Sequence, residues 1–245
     1  MKKKINITVL CCLLCSYVSA QTSARIYRLE VGYSIGGSMP VPLPREIRKI
    51  DMWAPELFAP HLAIEALNPF NERWAISAKI AFDRKGFTVR DRVKSLYTEI
   101  TTEDGTVQAG NFTGKNQTQV DNYYLSVPVA LVYSHSEHRT SRIGLYCAWM
   151  LRPLFIGQAV DGYIRQGDPT GEKIAIPYAE FDFSDRLRRF DYGLMLAEHW
   201  VIHPRWALIG EITCGLRPLF SDSFKAMPFK MRNIYGILGV SYLLM

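Results

Sequence analysis

Apolar and polar residues alternate along eight segments of the chain, and a period of two is typical of β-strands. In the first segment, Arg25 to Ile35, every second residue from Tyr27 onward is large and apolar, and smaller or charged residues lie between. Seven later segments repeat the pattern, at about 58–67, 74–83, 123–133, 142–152, 191–200, 206–217 and 238–244. After residue 24, no run of about 18 apolar residues occurs, so the sequence predicts strands rather than transmembrane helices.

The connections between these segments are alternately long and short. The long ones cover roughly 37–57, 86–121, 155–189 and 218–231, and the short ones lie at 68–71, 135–140 and 202–204. Long loops at one end and tight turns at the other are typical of up-and-down barrels in outer membranes. The pattern therefore predicts an all-β fold, an eight-stranded antiparallel up-and-down transmembrane β-barrel with both termini at the turn end.

The positions of aromatic residues on the apolar face distinguish a membrane barrel from a soluble one. A lipocalin-like barrel has the same period but turns its apolar face inward. Here the aromatics cluster at both strand ends, as a lipid interface selects. At the turn end they are Tyr27, Trp74, Tyr133, Trp200, Trp206 and Tyr242, and at the long-loop end Tyr33, Phe82, Tyr123 and Tyr192. Glu198 is the exception, because its parity places a carboxylate on the lipid-facing side, where a position near the interface or a bulge would accommodate it.

The opposite face carries charges that would point into the barrel. They are Arg28, Lys79, Arg142, Arg152 and Arg217 against Glu30, Glu65, Asp83, Asp191 and Glu211. An eight-stranded barrel is only wide enough for its side chains, and unpaired buried charges are costly. We therefore expect a salt-bridged plug. A narrow ion or proton path, or a small polar ligand site near the mouth, is the alternative.

The N-terminal segment has the organisation of an export signal. Lys2, Lys3 and Lys4 precede a short apolar run, and a small-residue cleavage site ends at Ala20. We expect residues 1–20 to be removed, which leaves one domain, 21–245. The net charge then falls from +6 to +3, so a nucleic-acid-binding function loses its main support. Three of the five cysteines leave as well, and the remaining pair, Cys147 and Cys214, is not a disulfide framework.

Catalytic motifs are sparse. Neither GxSxG nor HExxH occurs, and His61 is the single histidine near the long-loop end. His61 and Glu65 lie on one strand face roughly 13 Å apart, too far for direct proton transfer. The sequence thus predicts no enzyme, no catalytic residues, no metal and no cofactor. A lipid-modifying enzyme that depends on His61 is kept as an alternative.

Several stretches, taken in order, resemble the outer-membrane β-barrel domain common among Bacteroidetes and related to porin-like OmpA/OmpX-type barrels. They are Trp74–Gly86, Tyr124–Tyr133, Phe190–Leu194 and the Gly215-Leu216 pair. The chain departs from the family at Lys79 and Ser126, where acidic residues are frequent, and at its non-aromatic C-terminal Met245. The resemblance implies location in the outer membrane of a Gram-negative bacterium, and it implies no shared activity.

The long loops are the remaining candidates for function. Segment 37–57 is apolar and Pro-rich, and segment 98–119 is rich in Thr, Gln, Asn and Gly. We expect a non-catalytic structural, adhesive or envelope-complex role, with a small ion or solute pore as an alternative. The expected partners are outer-membrane lipid, the barrel-assembly machinery and an envelope protein, with no nucleic acid.

Overall fold

The structure, a computed structural model, describes residues 25–102, 105–166, 170–224 and 226–244. The predicted export signal lies outside these ranges. The eleven strands within them are β1 (Ile26–Pro40), β2 (Ile47–Pro55), β3 (Pro60–Pro69), β4 (Trp74–Thr102), β5 (Val107–Ser136), β6 (Arg139–Arg152), β7 (Phe155–Arg165), β8 (Lys173–Asp182), β9 (Phe190–His203), β10 (Trp206–Gly215) and β11 (Met231–Leu243). A single 3₁₀ turn covers Ser184–Arg186. Across the described ranges, no helix has the length and apolar content needed to cross a membrane.

Antiparallel pairing closes part of the sheet into a ring. The order around the ring is β1, β3, β4, β5, β6, β9, β10 and β11. The ring closes because β1 pairs with β11 along its length, from Arg28 opposite Leu243 to Pro40 opposite Met231. The predicted total of eight strands is wrong, since the described chain has eleven. The additional strands, β2, β7 and β8, form within segments that the sequence predicted to be loops.

Tight turns join ring strands at one end, which we call the turn end. They lie between β3 and β4, β5 and β6, and β9 and β10, at the three predicted positions. The first turn is held by Asn71, whose side-chain oxygen accepts hydrogen bonds from the backbone N–H groups of Arg73 (2.9 Å) and Trp74 (2.7 Å). An asparagine that bonds the backbone two and three residues ahead stabilises such a reversal.

The two longest strands continue far beyond the ring. β4 has 29 residues and β5 has 30, so each is roughly 95 Å long at 3.3 Å per residue. A strand needs only about 9–11 residues to cross a membrane. Past Phe87 and Val120, these strands pair with each other, with β2 on one side and with β7 on the other. We call β2, β7, β8 and the stretches 87–102 and 107–120 the projection.

The projection has its own apolar core. β8 pairs with β7 and, at Thr101 and Thr102, with the end of β4, so that strands surround the interior on all sides. The buried residues inside are Val93, Leu96, Phe112, Ala159, Ile164, Ile176 and Ala179. This core explains why segments 86–121 and 155–189 fold instead of remaining loops.

In the ring, the apolar side chains point outward. Along β9, for example, Asp191 and His199 are buried, whereas Leu194 and Leu196 are about half exposed. The largest exposed fractions among ring residues include those of Leu238, Ile80 and Ile143. A lipocalin-like barrel has the reverse arrangement, because it buries its apolar face. Exposed apolar surface this extensive requires lipid or another apolar partner.

Candidate functional site in the ring lumen

A buried lysine lies at the centre of the lumen. The Nζ atom of Lys79 donates to Glu211 Oε2 at 2.5 Å and to Glu30 Oε2 at 3.1 Å. All three side chains are almost fully buried. They come from β4, β10 and β1, so closure of the ring is what brings them together.

A second ion pair lies beside the first. Arg142 Nε is 3.1 Å from Glu65 Oε1, and one terminal nitrogen of the same guanidinium is 3.3 Å from Oε2, which makes the pair bidentate. Fork-to-fork pairing of this kind is the strongest form of the contact. Arg28 is half-buried and lies directly opposite Glu65 in the strand register.

His61 bonds to a carboxylate on the neighbouring strand, that of Asp83. Its Nδ1 lies 2.6 Å from Asp83 Oδ1, since the two residues are paired across β3 and β4. Ser126 donates to the other oxygen of Asp83 at 2.8 Å. A nucleophilic serine needs a base on its own hydroxyl. Here the carboxylate lies between serine and imidazole, so the arrangement is structural rather than that of a catalytic triad.

Glu30, Glu65 and His199 could hold a metal ion by spacing alone, because one ligand atom from each lies within 4.8 Å of the other two. Both carboxylates, however, are already bonded to cations, Glu30 to Lys79 and Glu65 to Arg142. A dication placed among these cations would be repelled. The contacts therefore favour a neutralised ion-pair network over a metal centre.

Further toward the projection, three tyrosines surround a buried ammonium group. Lys85 Nζ lies 5.2–5.5 Å from the ring centroids of Tyr124, Tyr146 and Tyr235. Asn233 and Asp191 complete the layer: Asn233 Nδ2 lies 2.9 Å from Asp191 Oδ2, and the Tyr146 hydroxyl donates to that oxygen at 3.1 Å. Sequence reasoning did not select Lys85, the tyrosines or His199, although the parity that identified Asp83 and Asp191 also points these residues inward.

An apolar cap covers this layer at the end opposite the turns. Phe155 is fully buried and contacts Phe183 and Phe220, with ring centroids 6.2 and 5.0 Å away. Phe224 packs on Phe183 at 4.9 Å. The cap residues come from β7 and from the two segments that flank β9 and β10. Together with the ion pairs below, the cap fills the lumen with side chains at both levels.

The structure buries seven of the ten predicted lumen charges within the ring and leaves Arg28 half-buried there. The seven are Glu30, Glu65, Lys79, Asp83, Arg142, Asp191 and Glu211. Arg152 and Arg217 do not point into the lumen, and this part of the prediction needs correction. A register shift between Tyr123 and Tyr124 breaks the parity of β6 before Arg152. β10 ends at Gly215, two residues before Arg217.

The predicted aromatics lie on the outer wall, partly or fully exposed. At the turn end, Trp74 packs against Tyr133 and Trp206 against Tyr242, each pair tilted and with ring centroids 4.8 Å apart. Tyr27 and Trp200 lie at the same end, since Tyr27 is the second residue of β1 and Trp200 pairs with Leu208 near the start of β10.

Glu198 also lies on the outer wall, where its carboxylate is 3.0 Å from Arg139 Nε and also accepts a hydrogen bond from Ser141. Pairing with a cation, rather than a bulge, accommodates this carboxylate. Cys147 and Cys214 are not joined by a disulfide.

Several solved structures and one family model are similar to this chain. Solved structures similar to this chain include the outer membrane protein Ail of Yersinia pestis in a phospholipid bilayer nanodisc, with 12% identity, a TM-score of 0.39, and coverage of 90% of this chain and 100% of that one. The crystal structure of Ail is similar at 11% identity and a TM-score of 0.39, covering 90% and 97%. No protein with a curated description matches in sequence. The family model described as outer membrane protein beta-barrel domain matches residues 19–221, most of the chain. The protein therefore belongs to the outer-membrane β-barrel domain family and is located in the outer membrane.

Proposed function

We propose that this protein is a closed, non-catalytic barrel that holds a folded projection at the cell surface, in an adhesive or envelope-complex role. In this proposal the eight ring strands cross the membrane, the tight turns face the periplasm, and the projection faces outward. The observation that carries it is the apolar core inside the projection, around Phe112 and Ile164. A barrel that served only as a wall would need no such folded body beyond the membrane.

The filled lumen supports a closed barrel over a pore. Lys79 bridges two carboxylates across the interior, and the phenylalanine cap lies above the tyrosine layer. The small-pore alternative requires a continuous aqueous path, and the lipid-modifying alternative requires a base on the outer wall. His61 cannot be that base, because its side chain is buried inside the ring against Asp83.

Location and closure are tested together. The protein with residues 1–20 present should be processed on export, fractionate with outer membranes, and migrate differently on gels before and after boiling. Purified protein in a planar bilayer should show no steady conductance. A stable single-channel current that changes in Arg142→Gln would establish the pore alternative instead.

The role of the projection is tested by unfolding it alone. Phe112 and Ile164 are fully buried in its core, so Phe112→Asp should expose the projection to protease while the ring keeps its heat-dependent gel mobility. Phe112→Leu is the matched control, since it keeps an apolar side chain of similar size. Cells that display the wild-type protein or Phe112→Leu should adhere to protein-coated surfaces better than cells with Phe112→Asp. Equal adherence by all three would contradict the proposal.

A further inference from the structure

Three arginines lie side by side on the outer wall, just where the ring meets the projection. Arg152 is the last residue of β6, Arg189 immediately precedes β9, and Arg217 follows the end of β10. These three strands are neighbours in the ring. Arg189 is tied to the end of β6, since the backbone N–H of Met150 donates to the Arg189 carbonyl at 2.6 Å.

Contacts with the wall hold the three guanidinium groups in place. The Arg152 guanidinium lies 5.7 Å from the ring centroid of Tyr123, and that of Arg217 lies 5.9 Å from the ring centroid of Phe190. Arg217 also donates to the Phe190 carbonyl oxygen at 3.1 Å. Arg189 donates to the Leu151 carbonyl oxygen at 3.4 Å. Stacked and tethered guanidiniums lose less freedom when they bind a ligand.

The charge of this arginine cluster is not neutralised by the part of the chain that the structure describes. No carboxylate there lies within 4.0 Å of Arg152, Arg189 or Arg217. Two neighbouring arginines differ: Arg84 is paired with Asp121 at 2.8 Å and Arg188 with Asp222 at 2.5 Å. The cluster is therefore a concentrated positive charge rather than a share of a balanced surface.

The wall below the cluster is apolar. Trp149, Leu151 and Tyr192 are about half exposed there, and Leu216 continues the surface on β10. A ligand that carries an anionic group and acyl chains matches both parts at once. Guanidinium groups suit phosphate in particular, because their donors pair with two phosphate oxygens together.

We propose that Arg152, Arg189 and Arg217 bind the phosphate group of an outer-leaflet lipid, whose acyl chains lie on the wall beneath. The inference rests on the outward orientation of the projection in the proposed function. It assigns a lipid site to two residues, Arg152 and Arg217, that the sequence had placed in the lumen.

The test measures binding of dimyristoyl phosphatidic acid to the full-length protein in an uncharged detergent. The variant R152Q/R189Q/R217Q should bind this lipid about tenfold more weakly than the wild type, because it loses three charge-assisted contacts. Zwitterionic dimyristoyl phosphatidylcholine should bind both proteins equally and weakly. Inorganic phosphate should bind the wild type much more weakly than phosphatidic acid does, because it makes no contact with the apolar wall.

The matched control is R25Q/R73Q/R205Q, which removes three exposed arginines at the turn end. This control should bind phosphatidic acid as the wild type does. Equal loss in both triple variants, or none in R152Q/R189Q/R217Q, would overturn the site. Wild-type binding of inorganic phosphate as tight as that of phosphatidic acid would overturn the lipid as its ligand.

Heat-dependent gel mobility is recorded for every variant, so failure of the barrel itself is seen separately from failure of the site. Should the triple variant not fold, the single substitutions replace it, and each should weaken binding about twofold.

Discussion

The ammonium group of Lys79 lies 2.5 Å from a carboxylate oxygen of Glu211, although 132 positions separate the two residues in the chain. Glu30, from the first strand, accepts from the same ammonium group. The contact exists only when β1, β4 and β10 occupy one closed ring, so it reports closure directly.

Replacing Lys79 with methionine should strongly destabilise the ring. Glu30 and Glu211 would then be buried without their cation, and breaking a buried pair in this way costs about 3–5 kcal/mol. The measurement is the urea midpoint of unfolding in detergent, followed by tryptophan fluorescence. Lys115→Gln is the control, because its ion pair with Asp161 is exposed, and it should shift the midpoint little. A Lys79→Met midpoint equal to that of Lys115→Gln would argue against a network that holds the ring closed.

Asp91 should make the stability of the projection depend on pH. Burial, together with the nearby Asp51 carboxylate, raises the pKa of Asp91 to about 6. Because the folded state keeps this proton more tightly than the unfolded state, the contribution of Asp91 to stability is greatest below about pH 4 and is lost as the pH rises toward 6. Asp91→Asn should abolish this loss and stabilise the projection at pH 7.5 by about 3 kcal/mol.

Hydrogen exchange of the backbone amides in β2 and β4, compared at pH 4.5 and 7.5 after correction for intrinsic rates, measures the effect of Asp91→Asn. Asp161→Asn is the control, since Asp161 is exposed and a hydrogen bond with Lys115 lowers its pKa. It should give no gain at pH 7.5. An Asp91→Asn protein that exchanges like the wild type at both pH values would contradict the prediction.

Gly193 should tolerate no side chain. A Cβ atom there would clash with the carbonyl oxygen of Cys214 and lie 2.7 Å from the ring of Tyr146, so β9 or the tyrosine layer would have to move. Gly193→Ala should lower the yield of heat-modifiable protein several-fold. Gly236→Ala is a matched test on β11, where the nearest atom would be 3.7 Å away, and it should fold normally. Equal yields would show that the wall adjusts freely at Gly193.

Phe220 should hold the cap closed. It is buried against Phe155 and Phe224, with ring centroids 5.0 and 5.1 Å away. Phe220→Ala should destabilise the cap by roughly 3 kcal/mol and speed proteolytic cleavage between β10 and β11. Phe70→Ala, at an exposed position in the first tight turn, should leave the cleavage rate unchanged. A cleavage rate unaffected by Phe220→Ala would mean that other contacts close the mouth.

The alternation of apolar and polar residues predicted which side chains face inward wherever one side of a strand is exposed and apolar and the other is buried. Asp83 and Asp191 were found in this way, and Lys85 and His199 could have been. Parity failed at Arg152, because a single register shift reverses the direction of every later side chain and leaves no mark in the composition.

The projection was harder to predict because polar side chains are frequent on the outer face of its strands. Residues such as Gln117 and Lys115 point outward there, so the apolar alternation that identified the ring strands is diluted. The partners of each charge were not predictable either. The choice of Glu211 rather than Glu65 for Lys79 depends on the curvature of the ring, which strand order alone does not specify.

The unbroken passage of β4 and β5 from ring to projection has a mechanical consequence. No hinge separates the two bodies, since their pairing continues through Gly86 opposite Asp121. A pull on the tip along the strand axes would load many backbone hydrogen bonds in parallel, as shear, instead of opening them one after another. In the proposed orientation, this continuity would make the projection a stiff tether that transmits tension at the cell surface to the ring before the projection unfolds.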